Sequence, residues 1–598
     1  MHLPPGLHPR PQLTRAHALL LDRTVDFAWD DDDRGLAERW QLDGRAFDRR
    51  IQLPFAPESA ASGIGETGFH PIAWYRILLT ADDLAEAGRG VQGDRILLHF
   101  GAVDHACEVW VDGTHVGAHS GGQTAFAFDI TGALSGDGDH AVVVRAFDDP
   151  HDVEVPRGKQ DWLEHPHAIW YHRTTGIWRT VWLEAVPAAH IRSVRWVTSP
   201  DEAKVSAELR LSHRPTQPAH VTVTLEHEGS ILAETSVLAV GDRVEVELVV
   251  GAQRNGQAYD TLLWSPETPV LLDARLSLMV GGAVIDRAES YLGYRSVEAD
   301  RGRFLLNDRP CVVRSVLEQG YWPESHYTPP STEAMREEVE LIKSLGFNAA
   351  RIHQKTEDPR FLYWCDRLGL MVWGETAGAY EFSARAVGLL ATEWVSIVEQ
   401  YASHPSVVTW VPLNESWGVQ HASHQVAQRS YSRALAALTR ALDPTRPVVS
   451  DDGWEHTDSD ILTIHDYDAD GGALSRRYAT RDSLAEQVHG VGPFGRRLLA
   501  DSRTLPDVPV MVTEFGGINF AVGEARVDGW GYSTAGDPAD FERRLDEVVS
   551  AVRESPLLSG FCYTQLTDTA QETNGLCDEM RVPKLAPEAI RRIVRGEP

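Results

Sequence analysis

The 598-residue sequence predicts a multidomain fold of the β and α/β classes, with two β-sandwich domains followed by an eight-stranded (β/α) barrel. Three observations carry this prediction. The first half is built of short alternating apolar and polar runs separated by turn residues, the pattern of an all-β chain. After about residue 300 strand-like and helix-like segments alternate, giving eight candidate strands, the number a closed parallel barrel needs. No Gly-rich phosphate turn follows the first of these strands, which argues against an open doubly wound sheet. At roughly 150 residues per domain, this length suits three or four domains.

The elements follow in order. Clear β runs lie at 95–100, 107–113 and 140–146. Within the second, Asp112-Gly113 is a pair that tolerates the positive φ of a tight hairpin. AVPAAH, after Glu184, reads as a linker. A second β block follows, with VTVTLEHEG, RVEVELVV and ARLSLMVGG as its strands. Its length of about 105 residues fits a small sandwich. Then Ser331 or Thr332 can cap a helix whose apolar positions Met335, Val339, Ile342 and Leu345 have helical spacing, stopped by Gly346. The candidate barrel strands are 312–317, 347–353, 370–374, 407–413, 447–450, 461–465, 509–513 and 560–565.

Composition narrows the function classes. Lys and Arg number 56 against 87 Asp and Glu, a net charge of −31. Such a field repels phosphate backbones and anionic lipid, so neither nucleic acid nor membrane is an expected partner. The five cysteines are scattered, without CxxC or His clusters, and suggest neither a disulfide framework nor a zinc site. The N-terminal run AHALLL is short and lacks a cleavage site, and nothing is long enough to span a bilayer. The expectation is a cytoplasmic protein. Asp30 to Asp33 reads as a solvated acidic turn, lacking the spacing of a calcium loop.

Barrel enzymes carry their chemistry at the C-terminal ends of the strands. Polar residues gather there: Glu318 and Gln319 after the first strand, Arg351 and His353 at the second, Glu375 at the third. Asn414-Glu415 follow the fourth strand, Asp451-Asp452 the fifth, His465 to Tyr467 the sixth and Glu514 the seventh. Glu415 and Glu514 end strongly apolar strands about three βα units apart, which places them across the mouth from one another. Two opposed carboxylates are what glycosidic cleavage requires, one protonated to serve the leaving oxygen and one ionised to attack or stabilise the anomeric carbon. Mutual repulsion and burial can separate their pKa values so that one residue type fills both roles.

The ordered segments IQLPFAPES, WYR, EVWVDG, TTGIWRTVWLE, LWSPETPVLL, LGYRSVE, FLLNDRP, ELIKSLGFNAARIH, FLYWCDRLGLMVWGE, HPSVVTWVPLNESWG and PVMVTEFGG resemble glycoside hydrolase family 2, the group of β-galactosidases and β-glucuronidases, over nearly the whole chain. The resemblance implies a jelly-roll sugar-binding domain at 1–187, an immunoglobulin-like sandwich at 188–297 and a catalytic barrel at 298–598. It makes Glu415 the acid/base and Glu514 the nucleophile of a retaining double displacement, with Asn414 on the sugar 2-hydroxyl. His353 would line the sugar subsite. Tyr467, with His465 as competitor, would hold Glu514 ionised. Tyr563 would replace the family's strand-eight Trp as a platform under the ring. Glu318, Trp454 and Asp161 complete the expected substrate contacts, with Glu164 and Trp170 as further candidates on the loop before GIWR. Arg351 is either a structural partner of barrel carboxylates or a ligand.

Departures from the family bear on the substrate. Where its β-glucuronidases have Asn-x-Lys, this chain reads Glu572-Thr573-Asn574-Gly575, which disfavours a uronic acid. After strand three there is no His of the metal-dependent β-galactosidases, so no metal or cofactor is expected. A terminal neutral sugar of β-D-galacto geometry is the leading substrate, on an oligosaccharide or other glycoside. β-D-Galactofuranose, α-L-arabinofuranose and α-L-arabinopyranose are alternatives. The rival class, a non-catalytic carbohydrate-binding protein, would allow substitution at Asn414, Glu415 or Glu514, and all three are intact. Because family members often form dimers or tetramers, a homo-oligomer is an expectation.

Overall fold

The structure, a computed structural model, describes residues 3–136, 138–254, 259–502, 504–521 and 529–597. In the first sandwich a four-stranded sheet (Leu19–Leu20, Val181–Val186, Arg95–Phe100, Phe126–Asp129) faces a six-stranded one. At the centre of the latter, His140–Phe147 pairs with Ile72–Leu79 on one side and Ala106–Val111 on the other. Alternate residues such as Ile77, Leu98, Val109 and Val144 meet in one core, as a two-residue side-chain period dictates. Asp112 and Gly113 take φ of 49° and 74° and join Ala106–Val111 to Thr114–Ser120 as a tight hairpin. The second sandwich packs three strands (Ile191–Ser199, Lys204–Leu211, Arg243–Val249) on four (Ser230–Leu238, Ala219–His227, Leu272–Val280, Ala283–Leu292).

The barrel is a curled parallel sheet in the order Val407–Val411, Met371–Glu375, Ala349–Ile352, Val313–Glu318, Leu558–Thr564, Val510–Gly516 and Leu462–His465. The expected fifth strand at 447–450 is not a regular one. It touches the fourth through bridges at Trp410–Val448 and Asn414–Asp452. The reason is local: Pro447 has no N–H to give, while the amides of Val448 and Ser450 donate to the side chains of Asp460 (2.8 Å) and Ser459 (2.8 Å). Thr332–Ser344 is the predicted helix; Ser331 Oγ accepts from Ala334 N at 3.1 Å and Gly346 has φ 99°.

An apolar floor closes the N-terminal end of the barrel. Val313, Ala349, Met371, Trp373, Val411 and Met511 point inward there and pack on Trp264, Phe304 and Leu306. Access is thereby confined to the opposite, C-terminal end. The N-terminal segment binds the three units together. Thr14 pairs with Glu289, Arg15 bridges Glu184 (3.0 Å) and Asp286 (2.9 Å) in full burial, and Gln12 donates to Ser403 O at 2.9 Å. Among the described residues no helix is long and apolar enough to cross a membrane.

Candidate active site

Above the apolar floor lies a layer of ionised groups centred on Arg351. Strand parity explains how it gets there: Ala349 joins the floor and Ala350 and Ile352 pack outward on the helices, so Arg351 and His353 turn inward. The guanidinium is fully buried. Its Nη1 meets Glu514 Oε1 at 2.7 Å, its Nη2 meets Asp452 Oδ2 at 2.7 Å and Asn414 Oδ1 at 2.6 Å, and its Nε donates to Glu375. Arg351 is therefore the structural partner of barrel carboxylates. By holding the oxygen of the Asn414 amide it leaves Nδ2 as that side chain's donor.

Glu415 and Glu514 come together across the mouth. With His465 they form a cluster in which one ligand-type atom from each lies within 4.8 Å of the others. His465 Nδ1 is 2.7 Å from Glu415 Oε1, its Nε2 is 3.2 Å from Asp452 Oδ2, and Glu514 Oε1 lies 3.6 Å away. Tyr467 donates its hydroxyl to the other oxygen of Glu514. The sequence offered Tyr467 and His465 as competitors for one role; in the structure Tyr467 bonds to Glu514 while His465 bonds to Glu415.

Glu514 is held as an anion. Burial alone would raise the carboxyl of Glu514, but His465, Arg351 and the Tyr467 hydrogen bond outweigh it and bring it down to about 2. Burial would likewise lower His465, yet Glu514, Asp452 and Glu415 push it up to about 10, so the imidazolium persists at neutral pH. Burial, reinforced by Arg351, holds His353 neutral, well below its usual range. Burial lifts Glu375 to about 7, with Arg351 opposing. Glu415 is the more open of the pair, its side chain 15 % exposed against 7 % for Glu514. Although Glu415, His465 and Glu514 could be imagined as metal ligands, Arg351 already neutralises Glu514, and both imidazole nitrogens of His465 face carboxylates. The cluster suits proton and charge management better than a divalent cation.

Four expected contacts fall elsewhere. Tyr563 is 0 % exposed. It shares the outward face of its strand with Phe561 and packs against the strand-helix core beside Phe515 and Gly516, whereas Cys562 faces Arg351. A one-residue change of parity thus removes it from the mouth. Glu318 shares the outward face with Val316 and enters a buried cluster with Glu338, Glu357, Lys355 and Arg581. Asp161 uses its carboxylate within its own loop, accepting from Leu163 N (2.8 Å), His167 N (2.9 Å) and the His167 ring (2.7 Å). Trp454 stands edge-on to His465 beneath Phe494 and buttresses that imidazole.

The loop organised by Asp161 belongs to the first sandwich yet lies on the barrel mouth of the same chain. Arg157 N and Gly158 N both donate to Gly378 O at 3.0 Å, and Tyr171 OH donates to Glu572 Oε2 at 2.7 Å. Trp162 and Trp170 join Tyr380 and Trp417 in a half-buried aromatic cluster, a surface suited to the apolar faces of sugars or aryl groups. Sequence reasoning missed Lys159, Gln565 and Tyr532, whose ring stacks on Tyr467, as members of the mouth. Asp452 was legible as a polar strand end, but Lys159 lies more than 250 residues before Glu415 and has no local signal.

Residues 69–187, 189–295 and 297–489 match the family models for the sugar-binding domain, the central domain and the TIM barrel domain of the glycosyl hydrolases family 2. The β-galactosidase of Thermoanaerobacter pseudethanolicus is 24% identical over 438 residues, covering 72% of this chain and 55% of that protein. The chain spans about half the length of the curated relatives it matches. Among solved structures, a GH2 β-galacturonidase from Eisenbergiella tayi superposes with a TM-score of 0.73 at 20% identity, covering 98% of each chain. A β-glucuronidase from Ruminococcus gnavus in complex with D-glucuronic acid superposes with a TM-score of 0.76 at 16% identity, covering 98% of this chain and 99% of that one.

Proposed function

Because the chain belongs to family 2 of the glycosyl hydrolases, we propose that it is a retaining exo-glycosidase acting on a terminal neutral sugar, foremost a β-D-galactoside. The observation that carries the mechanism is the approach of the two carboxylates, within 4.8 Å. Retaining enzymes hold their carboxyl groups about 5–5.5 Å apart, while inverting ones leave about 6.5–9.5 Å for a water.

Glu514, kept ionised by Arg351, His465 and Tyr467, attacks the anomeric carbon and forms a glycosyl ester. Glu415, the more open group, gives its proton to the leaving oxygen. It then takes a proton from the water that hydrolyses the ester, and is regenerated for the next cycle. Asn414 Nδ2, oriented by Arg351, donates to the 2-hydroxyl, a bond that strengthens as the ring gains oxocarbenium character. A neutral substrate is supported by Glu572-Thr573-Asn574 standing where a uronate-binding Asn-x-Lys would lie, and by the likeness to the Thermoanaerobacter β-galactosidase.

The test is a set of initial rates on p-nitrophenyl β-D-galactopyranoside, β-D-galactofuranoside, α-L-arabinofuranoside, α-L-arabinopyranoside, β-D-glucuronide, β-D-galacturonide and β-D-mannoside. Glu514→Gln serves as the blank. Turnover of a neutral sugar with initial release of the retained anomer, lost in Glu514→Gln by at least about 10³-fold, is the expected result. Release of the inverted anomer would refute the mechanism, and an unaffected variant would refute the role of Glu514.

A further inference from the structure

One charged group at the mouth takes no part in the mechanism above. Lys159 is 6 % exposed, and its side chain lies over the ring of Tyr171, 5.7 Å from the centroid. Its ammonium makes no hydrogen bond and no ion pair with any described residue. A cation on so enclosed a side chain normally has a direct partner. The charges within its reach are at the sugar end of the mouth. It bears on His353 and is the foremost cation acting on Glu572, which in turn feels Glu514.

Glu572 is the complementary half of this arrangement. It sits on the loop after the last barrel strand and is itself buried. Tyr171 OH (2.7 Å) and Gln565 Nε2 (3.2 Å) both donate to its Oε2, and Oε1 accepts from no described residue. Gln565 also accepts from Gln319 Nε2 at 2.6 Å, so the carboxylate is held in place by a chain of amides rooted in the first and last strands. A donor and an acceptor of opposite charge therefore stand near one another without touching, one from the sandwich loop and one from the barrel.

We propose that Lys159 and Glu572 form a split ion pair that reads a hydroxyl group of the terminal sugar, the hydroxyl accepting from Lys159 Nζ and donating to Glu572 Oε1. This rests on the glycosidase reading of the same site. A hydroxyl is the one sugar substituent that satisfies both halves at once. A carboxylate would satisfy Lys159 but meet Glu572, and beyond it Glu514, as like charges. The pair therefore selects neutral sugars by chemistry the barrel sequence alone does not encode.

The experiment compares wild type, Lys159→Met and Glu572→Gln on the sugar that wild type hydrolyses best, on each of its monodeoxy analogues away from C1 and C2, and on the corresponding uronide. Melting temperatures are recorded for all three proteins. Each substitution is expected to lower kcat/KM on the parent sugar about 10- to 100-fold, the worth of a charge-assisted hydrogen bond. On one deoxy analogue, the same for both variants, that loss should shrink to less than about 3-fold. Glu572→Gln keeps the shape of the site and its bond from Tyr171, so it remains informative should Lys159→Met fold poorly. Equal losses on every analogue would overturn the proposal and leave the pair a brace for the loop. A wild type that prefers the uronide, with the preference lost in Lys159→Met, would overturn it in favour of a carboxylate site. Absence of turnover on any glycoside would instead refute the glycosidase reading itself.

Discussion

His465, Arg351 and Tyr467 together hold Glu514 as an anion. Glu514 receives a guanidinium, a phenol and the nearby imidazolium of His465, whereas among the described residues Glu415 receives only that imidazolium. Tyr467 is itself pushed up by burial and by Glu514, so it stays a donor over the working range. Tyr467→Phe should lower kcat about 10- to 100-fold, the loss of one hydrogen bond to a charged acceptor. Arg351 and His465 would still hold Glu514 ionised, so the acid limb of the pH–rate profile should remain below neutrality. An acid limb moved to neutral pH would show that the phenol, not Arg351, sets the charge. The site's carboxylates were legible as strand-end residues. The misassignments of Tyr563 and Glu318 share one cause: a strand's two faces differ by a single residue, and an apolar strand with an irregular end does not reveal which face is inward.

At the level of elements, the 157–171 loop matters most. It carries Lys159, Trp162, Trp170 and Tyr171 from a β-sandwich onto a barrel, and it is pinned at Gly158, whose φ is 57°. A Cβ there would come within 2.2 Å of Gln354 O, a backbone atom that cannot move aside cheaply. Gly158→Ala should therefore lift the loop off the mouth, reduce kcat/KM by at least about 10-fold and shift the melting temperature only slightly, since strain at a positive φ costs about 1–2 kcal/mol. Faster amide exchange confined to the loop would accompany the loss; unchanged exchange would show that the loop is held elsewhere. The sequence placed candidate sugar contacts on this segment but gave no reason for Gly158, because the atom it must avoid lies nearly 200 residues away.

At the scale of the whole molecule, the sandwich and barrel are joined by buried polar contacts. Gln123 N donates to Glu393 Oε1 at 2.6 Å, and Arg179 reaches Tyr401 OH at 3.0 Å. Burial raises Glu393 to about 7, with the Gln123 amide and Arg179 pulling the other way. The carboxyl is thus more acidic unfolded than folded. Its contribution is fully present below its ordinary value near 4.5 and is lost as pH rises through about 7, a loss of about 3 kcal/mol. Glu393→Gln should therefore be more stable relative to wild type at pH 8 than at pH 4.5, measured by urea midpoints at both pH values. A stability difference independent of pH would show that Glu393 does not titrate in this window.

Local patterns determined most of the architecture. Alternation specified the sandwich strands, Asp112-Gly113 their hairpin, and Ser331 and Gly346 the ends of a barrel helix, because each depends on neighbours within a few residues. The pairing of Glu415 with Glu514 was also within reach, since barrel topology converts position along the chain into position around the mouth. Tertiary structure alone decided the rest. It made Arg351 a hub for four side chains, turned Tyr563 and Glu318 away, and brought Lys159 opposite Glu572 across more than 400 residues. These outcomes depend on electrostatics and steric fit between segments remote in sequence, and no local preference of either segment encodes such a meeting.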